Sequence, residues 1–511
     1  MSATLRPPAA PPPGRRRRRW IRVVLSVLLL ALVLMAAGVV LVVREVRTVV
    51  DTVGQVDFDR PLVVPRLAES RRDADGRRVF DLTMQRGRTD LGRPDPTPTW
   101  GVNGSYLGPT LRANRGEDVL VNVTNELGED STLHWHGMHL PPEMDGGPHQ
   151  TVANGATWSP TWRVDQPAAT LWYHPHPHGR TAEHVYRGVS GLFLVDDPAA
   201  AALALPKKYG VDDVPLIVQD KKFDGSELDE SDAPFRNQGI LGDQVLVNGT
   251  PGPYLDVTTE RVRLRLLNGS NARIFNFHFA DDRPYLLVGS DGGLLPEPVE
   301  VRSLELSPGE RAEIVVDFEP GETTVLRSAP LDSSEDRAAG ADDRFDILEV
   351  RAAGRLTASP PVPRRLAPAP DLGGEEVVTT RRFTLSGSSI NGDDMDPERI
   401  DVVSEVDTTE RWIVTNDNGY PHNFHIHDVQ FQVETVDGDD PPPAYQGWQD
   451  TVLLPDRAEV ALLVRFSDYT DPDTPYMYHC HLLRHEDQGM MGQFVVVRPG
   501  QEAGRPSGHA H

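Results

Sequence analysis

Two kinds of hydrophobic pattern divide this chain. Val23 to Val43 is an uncharged run of 21 residues, long enough to cross a bilayer as a helix. Beyond it, apolar residues rarely run together. They alternate with polar ones over short β-branched stretches closed by Gly, Pro, Asn or Asp, which predicts strands and turns. The same pattern occurs three times. A charged turn, an alternating strand and an Asn occupy Arg115 to Asn125, Thr259 to Asn268 and Thr409 to Asn416. About nine residues further on comes a second short strand, His134-Trp135-His136 in the first copy, Asn276-Phe277-His278 in the second and His425-Ile426-His427 in the third. A later strand runs Leu171 to His176, Thr324 to Ser328 and Tyr476 to His481. The chain therefore reads as an all-β protein of three β-sandwiches. The outer two hold metal where they meet, and the middle one is a spacer.

On this reading residues 1–50 form a basic cytoplasmic segment and membrane anchor, 51–198 the first unit and 211–352 the second. A Pro-rich linker covers 353–374, the third unit 375–499, and a polar tail 500–511. Arg15 to Arg19 precede the apolar run, which places everything after Arg44 outside the cytoplasm. The expected location is the cell membrane, crossed once through residues 23–43, with the β-units on the extracytoplasmic side. A cleaved export signal of twin-arginine appearance is the alternative, and it would leave the protein secreted. The net charge is -25, and residues 1–50 carry nine Arg against one Glu, so the main body is more acidic still. That balance argues against nucleic acid as a partner.

The chemistry lies in four histidine clusters, His134-x-His136, His174-x-His176, His422-x-x-His425-x-His427 and the segment His479 to Met490. They hold ten of the seventeen histidines and Cys480, the single cysteine. A thiolate, two imidazoles and a distant thioether make up a blue-copper site. Cys480, His485 and Met490 supply three of these, and the second imidazole comes from elsewhere. Neighbouring side chains on a strand point to opposite faces. If Cys480 faces one metal, His479 and His481 face another behind it.

The chain resembles the three-domain multicopper oxidases of the bacterial laccase, copper-efflux oxidase and bilirubin oxidase type, over about residues 60–499. The resemblance rests on the clusters and on His134-Trp135-His136-Gly137, Asp145-Gly146-Gly147 and Trp172-Tyr173-His174-Pro175-His176-Pro177-His178-Gly179. It implies three cupredoxin-like Greek-key β-sandwich domains and four copper ions. The type 1 copper would take His422, Cys480 and His485, with Met490 as axial ligand. His134 and His425 would hold the type 2 copper. His136, His174 and His481 would hold one type 3 copper, and His176, His427 and His479 the other. Asp145 and Glu486 stand where the resemblance places acids that deliver protons to dioxygen.

The implied activity is one-electron oxidation of phenols or aromatic amines, coupled to four-electron reduction of dioxygen to water. The alternative is a metallo-oxidase acting on cuprous, ferrous or manganous ions. Copper-efflux oxidases carry an acidic residue four positions before the type 1 His, where this chain has Asn418. They also carry a methionine-rich insertion that this chain lacks. Both departures favour the laccase-like reading. A copper-free envelope scaffold is the non-enzyme alternative, against which all ligand positions are intact. A monomer is expected, because the two outer units can build the cluster within one chain.

Overall fold

A computed structural model describes residues 4–5, 14–46, 49–231 and 238–506. The prolines at 7–13 and the tail histidines His509 and His511 lie outside the described residues. The helix Gly14–Val46 contains the expected apolar run, and within it Arg19–Ala36 is long and apolar enough to cross a membrane. No helix-breaking proline interrupts it, and Val23 to Ala36 contains no charged residue.

From Val49 onward the chain builds three cupredoxin-like β-sandwiches, each with its own core. In the first, Asp118–Glu126 buries Val119, Val121 and Val123 and turns the residues between them outward. These valines pack with Trp135, Tyr173 and Phe193. The second closes over Leu264, Leu266, Phe275, Phe277 and Ile314. The third surrounds Trp412, which lies 4.7 Å from Phe383 and 5.6 Å from Tyr478 between ring centroids. Its core cluster also takes in Cys480 and Met490.

The repeated sequence pattern corresponds to a repeated pairing. Arg78–Thr89 runs parallel to Asp118–Glu126, Asp213–Lys221 to Arg261–Asn268, and Val377–Ser386 to Thr408–Asn416. The recurring Asn makes the same clasp each time. Asn125 Oδ1 accepts from Leu127 N at 3.0 Å, while its amide donates to the Glu129 and Val152 carbonyls at 2.8 Å each. Asn268 accepts from Ser270 N at 3.1 Å and donates to the Arg273 and Leu306 carbonyls. Asn416 accepts from Asn418 N at 2.9 Å and donates to the Tyr420 and Pro455 carbonyls. Each clasp satisfies the backbone of a loop leaving a buried strand, which would otherwise hold unpaired polar groups. It also fixes where the next strand, the one bearing the His pair, begins.

The expected unit boundaries need two adjustments. Residues 50–61 lie along the middle sandwich rather than the first: Arg60–Pro61 pairs with Pro253–Thr259, and Val50 N donates to Asp343. The strand Phe345–Thr357 runs past the expected end of the middle unit. The Pro-rich connection that follows is docked, with Leu366 and Leu372 buried. Leu366 N donates to the Pro296 carbonyl and Leu372 N to Gln432.

A buried ionic cluster joins the first and middle sandwiches. Asp213 accepts bidentate bonds from Arg263 (3.0 and 2.8 Å) and Arg265 (2.6 and 3.0 Å). Arg265 reaches on to Glu313 and to Thr170 of the first sandwich, both at 2.7 Å. Burial alone would raise the Asp213 pKa, but the guanidiniums of Arg265 and Arg263 outweigh it and hold the carboxyl well below its usual 3.8. The group therefore stabilises the fold above about pH 4, and this contribution fades as acid protonates it. Asp213→Asn would leave two guanidiniums short of a counter-charge and cost about 3–5 kcal/mol at neutral pH. Denaturant midpoints followed against pH should show this deficit narrowing as pH falls below 4.

Candidate metal centre

The strand Tyr476–His479 lies between His422–Ile426 and Met491–Val497, with His479 opposite both His425 and Met491. The chain then passes through Cys480 into the short helix Leu483–Asp487. Cys480 points into the third core. His422 Nδ1 lies 3.4 Å and His485 Nδ1 3.5 Å from its Sγ. The missing imidazole of the sequence reading is thus His422. Met490 is fully buried in the same cluster, and its carbonyl accepts from Cys480 N at 3.2 Å. The loop is fastened by Asn423, whose Oδ1 accepts from His481 N at 2.6 Å. Burial pushes the Cys480 thiol up to about 12. A cation on Sγ would reverse that shift, since a thiol ligates as the thiolate. The half-buried Tyr420 covers this site, its ring 5.1 Å from His422 and 6.2 Å from His485 between centroids.

His479 and His481 turn the other way, toward the first sandwich, where they meet His134, His136, His174, His176, His425 and His427. All eight are buried. Their ligand atoms fall into three sets, His134–His136–His425, His136–His174–His481 and His176–His427–His479, each within 4.8 Å. Seven of the eight turn Nε2 inward. His134 Nδ1 pairs with the Asp145 carbonyl (2.9 Å), His425 Nδ1 with the Asp450 carbonyl (2.7 Å), and His174 Nδ1 with that of Pro175 (2.8 Å). His427 Nδ1 pairs with Asp145 Oδ2 (2.8 Å) and His479 Nδ1 with the Cys480 carbonyl (3.1 Å). His176 and His481 direct Nε2 at His479 (3.2 Å) and His174 (3.4 Å). His136 is reversed: its Nε2 pairs with Asp450 Oδ1 at 2.9 Å, and its Nδ1 faces His174.

Burial disfavours the charged form of seven of the rings. Burial pulls His136, His174, His176, His425, His427 and His481 well below the ordinary imidazole value, and His479 down to about 3. Neighbouring rings add to the shift, as expected where His136 and His425 stack at 3.7 Å and His134 and His427 at 3.8 Å. The inward lone pairs then have nothing to accept from. His134 Nε2 and His425 Nε2 are buried without a hydrogen-bond partner. Buried acceptors left in this state are costly unless an electrophile takes them. A thiol flanked by two imidazoles with a buried thioether, beside a knot of neutral imidazoles, suits copper.

Of the two expected acids, Asp145 anchors His427 by its carboxylate and His134 by its carbonyl. Glu486 lies 3.4 Å from His176 Nδ1 and 3.3 Å from His479 Nδ1, and burial pushes its pKa well above the carboxylate range. Next to it, burial raises Asp487 to about 7 even though its carboxylate accepts from Thr181 N and Ala182 N. His139 pairs with Asp428 at 2.8 Å, and His184 sits between Ser131 and Glu129, so both serve the surrounding structure. Sequence reasoning passed over Asp450, Asn423 and Tyr420. A lone Asp before an apolar strand looks like a turn residue, and Asn423 and Tyr420 stand outside the His spacing that draws attention to their neighbours.

Sequence profiles of the multicopper oxidases match residues 83–200 and 369–500. The chain belongs to this family. It is 39% identical over 449 residues to cell division protein FtsP of Xenorhabdus nematophila, covering 86% of this chain and 93% of that one. Among solved structures, a multi-copper oxidase from Pediococcus acidilactici superposes with a TM-score of 0.79 at 36% identity, over 87% of this chain and 93% of the other. The laccase-like multi-copper oxidase CueO from Ochrobactrum sp., which has oxidase activity towards lignin model compounds, gives 0.78 at 38% identity, over 86% and 100%. Membership of the family implies copper, and the donors present here fit it.

The anchoring role of Asp145 can be measured directly. Asp145→Ala should weaken copper retention at the eight-histidine cluster about 10–100-fold, as loss of an outer partner of a ligating His does. Dialysis against a graded chelator with metal analysis checks it, and the copper at Cys480 should be retained.

Proposed function

We propose that this chain is a laccase-like oxidase. It takes electrons singly from phenolic or aromatic amine donors at the Cys480 site and uses four of them to convert dioxygen and four protons into two waters. The observation that carries the reading is the complete donor set. Cys480, His422, His485 and Met490 would hold the type 1 copper, and His134 with His425 the type 2 copper. His136, His174 and His481 would hold one type 3 copper, and His176, His427 and His479 the other. Four bound coppers would supply the one-electron acceptance and the four-electron storage that this stoichiometry requires. The chain's own part is wiring, protons and exclusion of water. Cys480 is joined through single peptide units to His479 and His481, so the two sites are a few covalent bonds apart. Glu486, held protonated by burial between His176 and His479, can release a proton inward. Asp487, near neutrality at the mouth of the helix Thr181–Tyr186, can replace it. Tyr420 covers His422 and His485 with an aromatic face on which a planar donor can stack.

Metal ions are the alternative reductants at the same site. Asn418, rather than a carboxylate, beside His422 Nε2 at 3.1 Å disfavours them. The identity to proteins named cell division protein FtsP supports a second reading, a role in cell division, whose non-enzyme form would be a copper-free envelope scaffold. The apolar helix suits anchoring of the β-units on the extracytoplasmic side in either case. As an oxidase the chain would work as a monomer, since one chain supplies every ligand.

Copper-loaded full-length protein in detergent should be blue, carry about four coppers and consume dioxygen with a phenol faster than with cuprous ion. Cys480→Ser should abolish the blue band and the oxygen uptake while leaving the eight-histidine copper in place. A chain that stays colourless and metal-free after reconstitution would exclude the oxidase and leave the envelope role.

A further inference from the structure

The middle sandwich offers no cluster of potential metal ligands among the described residues, yet one of its side chains reaches the carboxylate behind His136. Arg311 begins the strand Arg311–Asp317 and is completely buried. Its guanidinium forms a two-pronged pair with Asp450 of the third sandwich, Nη1 to Oδ1 at 2.7 Å and Nη2 to Oδ2 at 2.5 Å. The same Oδ1 takes the Nε2–H of His136, from the first sandwich, at 2.9 Å. One carboxylate thus joins all three sandwiches.

The surroundings are shaped around this join. Gly137, at φ +82°, lies so close that an added Cβ would stand 2.4 Å from Asp450 Oδ2 and 2.8 Å from Arg311 Nη2. Gly309, at φ +91°, lays its backbone against the ligand rings, since a Cβ there would be 3.2 Å from His481 and 3.3 Å from His136. Arg311 is itself held from behind by Asp291, which accepts from its backbone N at 2.7 Å, and by the Thr170 carbonyl at 3.0 Å.

We infer that Arg311 is the positioning residue that makes His136 the one reversed ligand of the cluster. Neutral imidazole has one N–H and one lone pair, so the nitrogen that donates decides which nitrogen is free. With Asp450 pinned by two guanidinium bonds, its Oδ1 is the nearer acceptor for His136 Nε2–H, at 2.9 Å against 3.2 Å for Thr451 Oγ1, and His136 offers Nδ1 inward. A fork of fixed geometry is the donor type that can hold both carboxylate oxygens at once. Without Arg311, Asp450 is a buried charge with no cation, left with the Thr451 hydroxyl at 3.0 Å on Oδ1 and nothing from Arg311 on Oδ2. The His136 tautomer then loses its reference. The middle unit would accordingly control the trinuclear site without supplying a ligand.

This inference rests on the oxidase reading, so the experiment separates the two. Full-length wild type, Arg311→Met, Arg311→Lys and Asp450→Asn are loaded with copper in detergent. Metal content, the blue band, and the paramagnetic resonance and near-ultraviolet signatures of the cluster are then recorded. Thermal unfolding of the copper-free chains controls for folding. Arg311→Met should keep the blue Cys480 site but bind cluster copper about 10–100-fold more weakly, with an altered cluster signal. Arg311→Lys should restore charge without the fork and recover occupancy only in part. Asp450→Asn, which retains an oxygen acceptor for His136 but not the ion pair, should fall between wild type and Arg311→Met. Unaltered cluster occupancy and signal in Arg311→Met would overturn the inference, as would a lowered unfolding temperature with an unchanged signature, which marks a structural role alone. Should Arg311→Met fail to fold, unaltered signatures in both Arg311→Lys and Asp450→Asn would overturn it equally. A wild type that binds no copper would instead defeat the oxidase reading.

Discussion

Neutral imidazole, buried and packed at high density, is the constraint on which the rest of the centre depends. Eight rings share one buried interior, and two pairs of them stack at less than 4 Å. A proton on any one would place a charge against its neighbours in a medium that hardly screens it. Neutrality leaves each ring with one donor to satisfy and one lone pair to present. The fold answers with fixed acceptors behind six of the rings, four of them backbone carbonyls, which cannot titrate or rotate away. Asp145 and Asp450 serve twice, each through a carbonyl and a carboxylate. Metal affinity in such a site is prepared before any metal arrives.

The backbone that leaves the strand Tyr476–His479 supplies the second requirement. Alternation at His479, Cys480 and His481 sends the thiol into the third core and the imidazoles into the junction with the first. Two environments of different polarity are thus reached within three residues. The apolar side is large, with Trp412, Phe424 and Phe494 behind it, so the thiol site is rigid as well as dry.

Much of this could be read from the residues in order. The threefold recurrence of strand and Asn, the four histidine clusters and the lone cysteine indicate the sandwiches and the donors. The alternation at Cys480 indicates that two sites stand back to back. What could not be read is how donors are aimed. Asp450 and Arg311 lie 139 positions apart and meet where the start of the strand Arg311–Asp317 faces the third sandwich. Arg311 lies in a charged turn, Pro308 to Glu313, that recurs as Pro455 to Glu459 in the third repeat, where Arg457 pairs with exposed Asp417, so the recurrence marks a turn and not a reach to the cluster. The segment 50–61 was equally opaque, because a two-residue pairing such as Arg60–Pro61 has no periodicity to detect. The middle unit read as a spacer, since the signal for its role lies in contacts and not in ligand residues.

The Asn clasp is present in all three sandwiches, including the one that carries Asn276-Phe277-His278 where the others carry a His pair. That middle copy shows the loop and strand closing correctly with phenylalanine at the heart of the motif. Foldedness and metal occupancy are therefore separable traits in this architecture. A lineage built on it can gain or discard catalysis by a few substitutions at the strand ends while its surface persists as a platform for other partners. Close kinship in sequence is then compatible with divergent employment, and the identity of the residues facing the junction is a better guide to chemistry than overall resemblance.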